Sequence, residues 1–272
     1  MTKSHLSRRT LMLAVIACFT CVPLIGWGQT LTKDQMKEFL TTAKVTGSKQ
    51  SKKGITNPWR LTMTDGNVTH DGSFQAVDEH KARMEFEDGH VELDFVDSYK
   101  YNIAAYGLAE LLGVDDMLPV YVERKWNGKS GSLSWWLPVK MDEGERLKKK
   151  IAAPDPDAWN KQMYKIRVFD ALVYDTDPNL TNVLIGEDWT IWRVDFSRSF
   201  RLFKDVRNPK DLSQCDRNLF AKLKALDANE LTQKTKNYLN KMEVQALMAR
   251  RDRIVAIFDK MISEKGESKV LY

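Results

Sequence analysis

The segment "YDTDPNLTNVLIGEDWTIWRVDFSRSF", Tyr174–Phe200, places five acidic residues and two asparagines around a short apolar pattern. Val183–Ile185 and Trp189–Val194 are predicted to form two antiparallel strands that turn at "GED". Asn182 precedes the first strand, and Asp195 follows the second. A hairpin brings its two open ends together, so these two side chains are predicted to lie side by side at its open end, which we call the mouth.

Asp177 lies five residues before Asn182, in a loop held by Pro178, and can reach the same mouth. Three oxygen donors then converge, which suits Mg²⁺ or Mn²⁺. Phosphoryl transfer uses such a set: one carboxylate orients the attacking hydroxyl, while an asparagine and a second carboxylate hold the metal at the phosphates. The structural alternative is a loop with Asx turns and helix caps, where Asp and Asn are common. The hairpin and the terminal "VDF" favour the site.

Strand patterns dominate before this hairpin, and helical patterns dominate after it. The predicted strands are Trp59–Met63, Ser73–Val77, Val91–Phe95, Leu118–Arg124 and Ser132–Val139. The predicted helices are Lys33–Ala43, Ser98–Leu112, one that begins near Pro156, Arg217–Leu226, Ala228–Tyr238 and Lys241–Glu264. The pattern indicates an α+β protein with a small β-rich N-lobe carrying one helix, residues 54–139, and a mostly helical C-lobe, residues 140–272. Residues 29–53 are predicted to be a flexible lead-in.

Residues 1–28 are typical of a signal peptide. They contain the basic residues Lys3, Arg8 and Arg9, the apolar run Leu11–Ile25 and a small-x-small site at residues 26–28. "SRRTLML" also resembles a twin-arginine signal, so export to the periplasm or the medium can follow the Sec or the twin-arginine route. An uncleaved membrane anchor is the alternative; after signal removal no stable membrane span is expected.

Composition excludes several classes of protein. The net charge of +5 falls to about +2 without the basic signal segment, so we expect no nucleic-acid partner. Only Cys215 remains beyond that segment, so no internal disulfide can form. The four histidines lack metal-ligand spacing, and no G-x-S-x-G motif occurs.

"FDALVYDTDPNLTNVLIGEDWTIWRVDFSRSFR" resembles the catalytic segment of atypical kinase-like proteins. That group includes the HipA-type kinases, the secretory-pathway casein kinases and the phosphatidylinositol kinases. With "DSYKYNIAAYGLAELLGVDDMLPVYVERKWNGKSGSLSWW", the resemblance covers about residues 55–205. It implies a two-lobed protein-kinase-like fold that uses ATP with Mg²⁺ or Mn²⁺. Asp177 would be the base, Asn182 and Asp195 the metal ligands, and Arg198 would lie beside the phosphates, brace the next loop or simply pair with an acid.

The sequence departs from this family at the pair formed by a strand lysine and a helix glutamate. Asn102 occupies the glutamate position, and Gln75 occupies the place that best fits the lysine. Lys81, six residues later, either replaces the lysine or is a surface residue. Arg60 and Lys100 are further cations that could reach the cleft. No G-x-G-x-x-G is present, and "KKGITNPW" supplies one loop glycine, Gly54.

Two classes of function remain after these observations. The first is an ATP- and Mg²⁺-dependent phosphotransferase that acts on a protein or a small hydroxyl acceptor. The second is an exported pseudokinase that binds a nucleotide or a protein as a scaffold, which the residues at 75 and 102 favour. Transfer of AMP instead of phosphate is a third outcome that the same residues permit.

Overall fold

The structure, a computed structural model, describes residues 31–51 and 58–272. The predicted signal segment 1–28 and Gly54 lie outside these residues. Residues 32–272 form one compact unit. No helix in the two described ranges is long and apolar enough to cross a membrane.

The strands lie mostly in the first half of the chain. They are β1 (Lys44–Gln50), β2 (Trp59–Thr64), β3 (Thr69–Gln75), β4 (Asp78–Glu85), β5 (Val91–Ser98), β6 (Tyr121–Trp126), β7 (Lys129–Trp135), β8 (Val139–Asp142), β9 (Val183–Gly186) and β10 (Ile191–Arg193). Five of them form an antiparallel sheet in the order β1-β2-β3-β7-β6. Strands β8, β9 and β10 form a second sheet, and β4 pairs with β5.

The helices dominate the second half of the chain. They are α1 (Lys33–Thr42), α2 (Tyr99–Leu112), α3 (Glu143–Lys148), α4 (Pro156–Val173), α5 (Arg217–Ala225), α6 (Ala228–Thr235), α7 (Lys241–Lys265) and α8 (Glu267–Val270). The predicted α+β class is therefore confirmed. Ser98 caps the start of α2, and Gly113 ends it with φ +67°, a conformation that glycine adopts without strain.

The five-stranded sheet buries one face against α1. Leu61, Met63, Phe74 and Leu133 alternate onto this face and are almost fully buried. The guanidinium of Arg124 donates from the same face to the carbonyls of residues 40 and 43 at 2.5 and 2.6 Å, which ties β6 to the end of α1. Because side chains alternate along a strand, the opposite face of this sheet is left for another partner.

The flexible lead-in predicted for residues 29–53 is wrong for residues 33–50. Thr32 and Gln35 form a capping box that starts α1, and Phe39 and Leu40 are buried beneath the sheet. The following residues form β1, whose backbone pairs with β2 along the edge. Backbone pairing orders this stretch, and the polar sequence "SKQ" does not predict that pairing.

The predicted hairpin at residues 183–194 is present, with Ile185 opposite Ile191 and Val183 opposite Arg193. Its turn is longer than "GED", because the Asp188 carboxylate accepts hydrogen bonds from the backbone N–H and the hydroxyl of Thr190 at 3.0 and 2.8 Å. That side-chain turn takes Trp189 and Thr190 out of the second strand. Strand β8 pairs with β9, so residues 139–142 pack with the hairpin.

The reactivity of the Cys215 thiol tests the packing of the hydrophobic core around this residue. It is fully buried, and burial, followed by the charge of Asp216, raises its pKa to about 12. Because the thiolate is the reactive form, a chain lacking residues 1–28 should react with a disulfide reagent at pH 8 about a thousandfold more slowly than a free thiol. Full reaction should appear only in denaturant, followed by absorbance. Fast labelling of the native protein would contradict this packing.

Candidate functional site

The open end of the β9–β10 hairpin brings Asn182 and Asp195 together. Asn182 ends a short 3-10 helix, Leu180–Asn182, whose start is capped by the side chain of Asn179. The backbone N–H of Val194 donates to the carbonyl of Asn182 at 2.9 Å, so Asp195 directly follows the residue that is hydrogen-bonded to Asn182. The side chain of Asn182 has no hydrogen bond to the rest of the described chain. Its amide is therefore available to a ligand.

Asp177 lies in the loop that follows α4, and this loop is fastened to the segment after β10. The backbone N–H and the hydroxyl of Thr176 donate to the carbonyl of Arg198 at 3.3 and 2.9 Å. Burial raises the pKa of Asp177; the charge of Arg198 opposes this shift, whereas the charges of Asp175 and Asp195 add to it. The charge of Asp195 therefore acts on the carboxyl group of Asp177.

Asp195 has a strained backbone, and its carboxylate accepts only long hydrogen bonds from the described residues. Its φ of +62° is uncommon for a residue with a Cβ, and such strain clusters at functional sites. One carboxylate oxygen accepts from the Gln75 amide at 3.4 Å, and the other accepts from the backbone N–H of Ser197 at 3.5 Å. The Asp195 N–H donates to the Tyr121 hydroxyl at 3.5 Å. These contacts are long, so the carboxylate retains capacity for a cation.

Asn102 joins three elements at this site. Its amide nitrogen donates to the side chain of Gln75 at 2.7 Å and to the Ser132 hydroxyl at 3.3 Å. Its oxygen accepts from the backbone N–H of Phe196 at 2.7 Å. The residue is fully buried, so Asn102 holds α2, the sheet and the segment after β10 together. At the two positions where the resemblance implies a charged Lys–Glu pair, the structure has a neutral amide pair that contacts Asp195.

The structure does not bring Lys81 into this group. Lys81 lies on β4, half-exposed, with its ammonium 2.7 Å from Glu79 and 5.9 Å from the ring of Phe95. Both partners belong to the β4–β5 hairpin. The cations Arg60 and Lys100 are also paired, with Asp71 and Asp78 at 2.6 and 2.8 Å.

Arg198 is held by an acid of β5. Its guanidinium lies 2.6 Å from Glu92 and 5.1 and 5.3 Å from the rings of Phe86 and Phe95. Arg201 binds the other oxygen of the same carboxylate at 2.6 Å. The structure thus shows Arg198 bracing the segment after β10, while its charge also acts on Asp177.

Sequence reasoning missed Arg193, whose side chain is 1% exposed. It forms ion pairs with Asp175 and, at 3.3 Å, with Asp170, and it donates to the carbonyl of Asp177 at 3.4 Å. Burial alone would lower the pKa of Arg193, but the two carboxylates outweigh burial and raise it. An arginine within the apolar strand "IWRV" was the available signal.

Asp97, at the end of β5, was also missed. Burial raises its pKa, a hydrogen bond from Ser197 opposes the shift, and the charge of Asp195 adds to it. One of its carboxylate oxygens is buried without a hydrogen bond in the described structure. No sequence pattern links residue 97 to residue 195.

The groups that the sequence predicts for this mouth are two carboxylates and one amide. In the part of the chain that the structure describes, no three His, Cys, Asp or Glu residues lie close enough to hold a metal ion by themselves. Mg²⁺ is commonly bound by one or two carboxylates together with phosphate oxygens of a substrate. The donor set fits such a shared site and does not fit a permanent metal site.

No protein-family model and no curated protein matches the sequence. Solved structures match over most of the chain. Hydra Fam20, solved with sugar, matches with a TM-score of 0.66 at 15% identity, and the match covers 88% of this chain and 92% of the Hydra chain. The Golgi casein kinase has a TM-score of 0.62 at 13% identity and covers 88% of this chain and 78% of its own. The Helicobacter pylori proinflammatory kinase CtkA has a TM-score of 0.51 at 10% identity and covers 83% of this chain and 98% of its own.

Identities of 10–15% establish the fold and leave the chemistry to the site. The sheet with α1 and α2 precedes the helical part, and the candidate site lies where the two meet at Asp195. The chain therefore has the atypical kinase-like fold that the resemblance implied.

Proposed function

We propose that the protein is an ATP-dependent phosphotransferase of the atypical kinase-like class, which uses Mg²⁺ or Mn²⁺ and transfers phosphate to a hydroxyl group of a protein or a small molecule. One observation supports the proposal: Asn182 and Asp195 lie at the open end of the β9–β10 hairpin, and the charge of Asp195 acts on Asp177. A matching fold has been solved in the Golgi casein kinase with Mn and ADP bound, which supports the nucleotide and the metal.

Each group at the mouth has a distinct task in this proposal. Asp177 orients the acceptor hydroxyl and takes its proton, while Asn182 and Asp195 supply oxygen ligands to the metal. The bound metal would neutralise charge on the phosphates. Asn102 and Gln75 keep Asp195 in place through neutral hydrogen bonds. Gln75 occupies the strand position where the resemblance implies a lysine, so a bound metal would supply most of the positive charge at the phosphates.

This arrangement predicts that nucleotide and metal bind only together. In a thermal-shift measurement, ATP with Mg²⁺ at 100 times Kd should stabilise the fold by about 2.7 kcal/mol, which corresponds to about 5–10 °C for a domain of this size. Either component alone should have little effect, because the proposed site offers few donors for the metal and has Gln75 where the resemblance implies a strand lysine for the phosphates. Asp195→Ala should remove the shift. An equal shift with ATP alone would contradict the shared site.

Asp188→Ala is the matched control for Asp195→Ala. It removes a carboxylate from the far end of the same hairpin, where Asp188 accepts hydrogen bonds from Thr190. The thermal shift with ATP and Mg²⁺ should persist in this variant. Its loss would show that the assay reports hairpin stability instead of ligand binding.

The pseudokinase alternative rests on the neutral Gln75–Asn102 pair, which replaces the charged pair of active kinases. A scaffold would bind nucleotide weakly or not at all and would release no product. If the protein transfers AMP instead of phosphate, mass spectrometry of the product would show the heavier adduct. These outcomes are distinguishable in a single incubation with ATP and metal.

Location and partners are part of the same proposal. The signal segment 1–28 and the occurrence of this fold in a Golgi kinase support export, and the lobes are proposed to divide near residue 139. The partners are then a nucleotide and a hydroxyl acceptor, without nucleic acid.

A further inference from the structure

The second face of the five-stranded sheet is hydrophilic. Over their described lengths, β2, β3 and β7 place no aliphatic or aromatic side chain on it. Pairing across the strands puts its members side by side: Arg60, Thr62, Asp71, Ser73, Gln75, Ser132 and Ser134. This face contrasts with the opposite one, whose aliphatic and aromatic side chains are buried under α1.

The hydrophilic face looks onto the candidate site. Gln75 lies on it and donates to Asp195, and Tyr121, opposite Ser134, accepts from the Asp195 N–H. Ser73 lies two residues before Gln75 on β3, about 7 Å further from the site along the strand. A nucleotide whose phosphates meet Asp195 can therefore extend beneath Ser73.

Ser73 has an uncommitted hydroxyl. It is half-buried, and its side chain makes no hydrogen bond within residues 31–51 and 58–272. The neighbouring serines differ, because Ser132 accepts from Asn102 and Ser134 is hydrogen-bonded to Tyr121. Among the three serines that the register places together, Ser73 is thus the one free to bind a ligand.

A hydroxyl is an unselective partner for a purine. Ligand pockets are usually lined by apolar side chains with a few polar groups that confer specificity. A serine hydroxyl both donates and accepts, so it suits the amino group of adenine and the carbonyl oxygen of guanine equally. Resting on the proposed nucleotide binding, we propose that the cleft binds GTP as readily as ATP and that Ser73 is the residue that permits this.

The test is a comparison of dissociation constants for ATP and GTP, each with Mg²⁺, by thermal-shift titration of the full chain. The wild-type constants should agree within about threefold. Ser73→Val should weaken the binding of ATP and of GTP alike, each by about fivefold, because the adenine amino group and the guanine carbonyl oxygen lose the same hydrogen-bond partner. Ser73→Ala, which removes the hydroxyl without adding a branch, should weaken both nucleotides in the same direction.

Ser48→Val is the matched control. Ser48 is exposed on β1 and lies opposite Leu61, so it belongs to the other face of the sheet. Its variant should keep the wild-type dissociation constants for both ATP and GTP. The melting temperature without ligand checks that each variant is folded.

Three results would overturn the inference in distinguishable ways. A hundredfold preference for ATP in the wild type would refute it while leaving the proposed kinase function intact. Equal binding that neither Ser73 variant changes would remove Ser73 from the explanation. No shift with either nucleotide and metal would refute the proposed function, and this inference with it.

Discussion

Asp177→Asn should lower the rate of phosphoryl transfer by about 10²–10⁴-fold while changing the affinity for ATP and Mg²⁺ by less than about threefold. Asparagine has nearly the same shape as aspartate but cannot take a proton from the acceptor hydroxyl. Binding should survive because Asn182 and Asp195, which face the metal in the proposed site, are unchanged. ADP release measures the rate even without a known acceptor, since water can replace the hydroxyl.

The control for this prediction is Asp188→Asn at the closed end of the hairpin. The same chemical change there should leave the rate within about twofold of the wild type, since Asp188 accepts its hydrogen bonds from Thr190 within the turn. If Asp177→Asn keeps a wild-type rate, Asp177 is not the base, and the assignment of the mouth as a phosphotransfer site fails.

Asp177→Asn should also leave the fold intact, and the direction of its pKa shift explains why. Burial and the charges of Asp175 and Asp195 raise the pKa of Asp177 in the folded state, against the opposing charge of Arg198. A carboxyl with a raised pKa reduces stability as the pH rises through its titration, because the unfolded chain releases the proton more readily. At neutral pH the charged Asp177 therefore destabilises the fold, and the variant should unfold at equal or higher urea concentration.

The mouth of the hairpin could be predicted because its determinants are local. Alternating apolar residues, a turn sequence and flanking polar residues place Asn182 beside Asp195 without knowledge of the rest of the fold. The helix at residues 98–112 was predictable for the same reason, since Ser98 and Gly113 mark its two ends.

Contacts between distant segments could not be predicted in this way. The Gln75–Asp195 contact joins residues 120 positions apart, and the Asn102–Phe196 contact joins residues 94 apart. The resemblance to kinases indicated that positions 75 and 102 belong to the site. The hydrogen bonds through which Asn102 connects Gln75 to Phe196 depend on the packing of the whole fold.

The exposure of strand β4 explains why no clear role for Lys81 could be predicted from the sequence. Its sequence "DEHKARME" has almost no buried position, so neither apolar alternation nor a helical stripe appears. Backbone pairing with β5 holds it as one strand of an exposed ribbon. A lysine in such a ribbon pairs with its neighbours, and Lys81 does so with Glu79.

Arg193→Met should be among the most destabilising single changes in the described structure. The buried guanidinium neutralises Asp170 and Asp175 and holds the carbonyl of Asp177. Removing one partner of a buried ion pair leaves the remaining charge uncompensated, which costs about 3–5 kcal/mol. Urea denaturation at pH 7 measures this as a lower midpoint at an unchanged slope.

Arg217→Met is the comparison for Arg193→Met, because Arg217 pairs with Glu267 on the surface with both side chains more than half exposed. That pair should contribute at most about 1 kcal/mol. A double variant in which Asp175→Asn accompanies Arg193→Met should recover part of the loss, since it removes one uncompensated charge. If Arg193→Met costs no more than Arg217→Met, the loop that carries Asp177 is not held by this buried network, and its position must come from the Thr176 contacts with the Arg198 carbonyl alone.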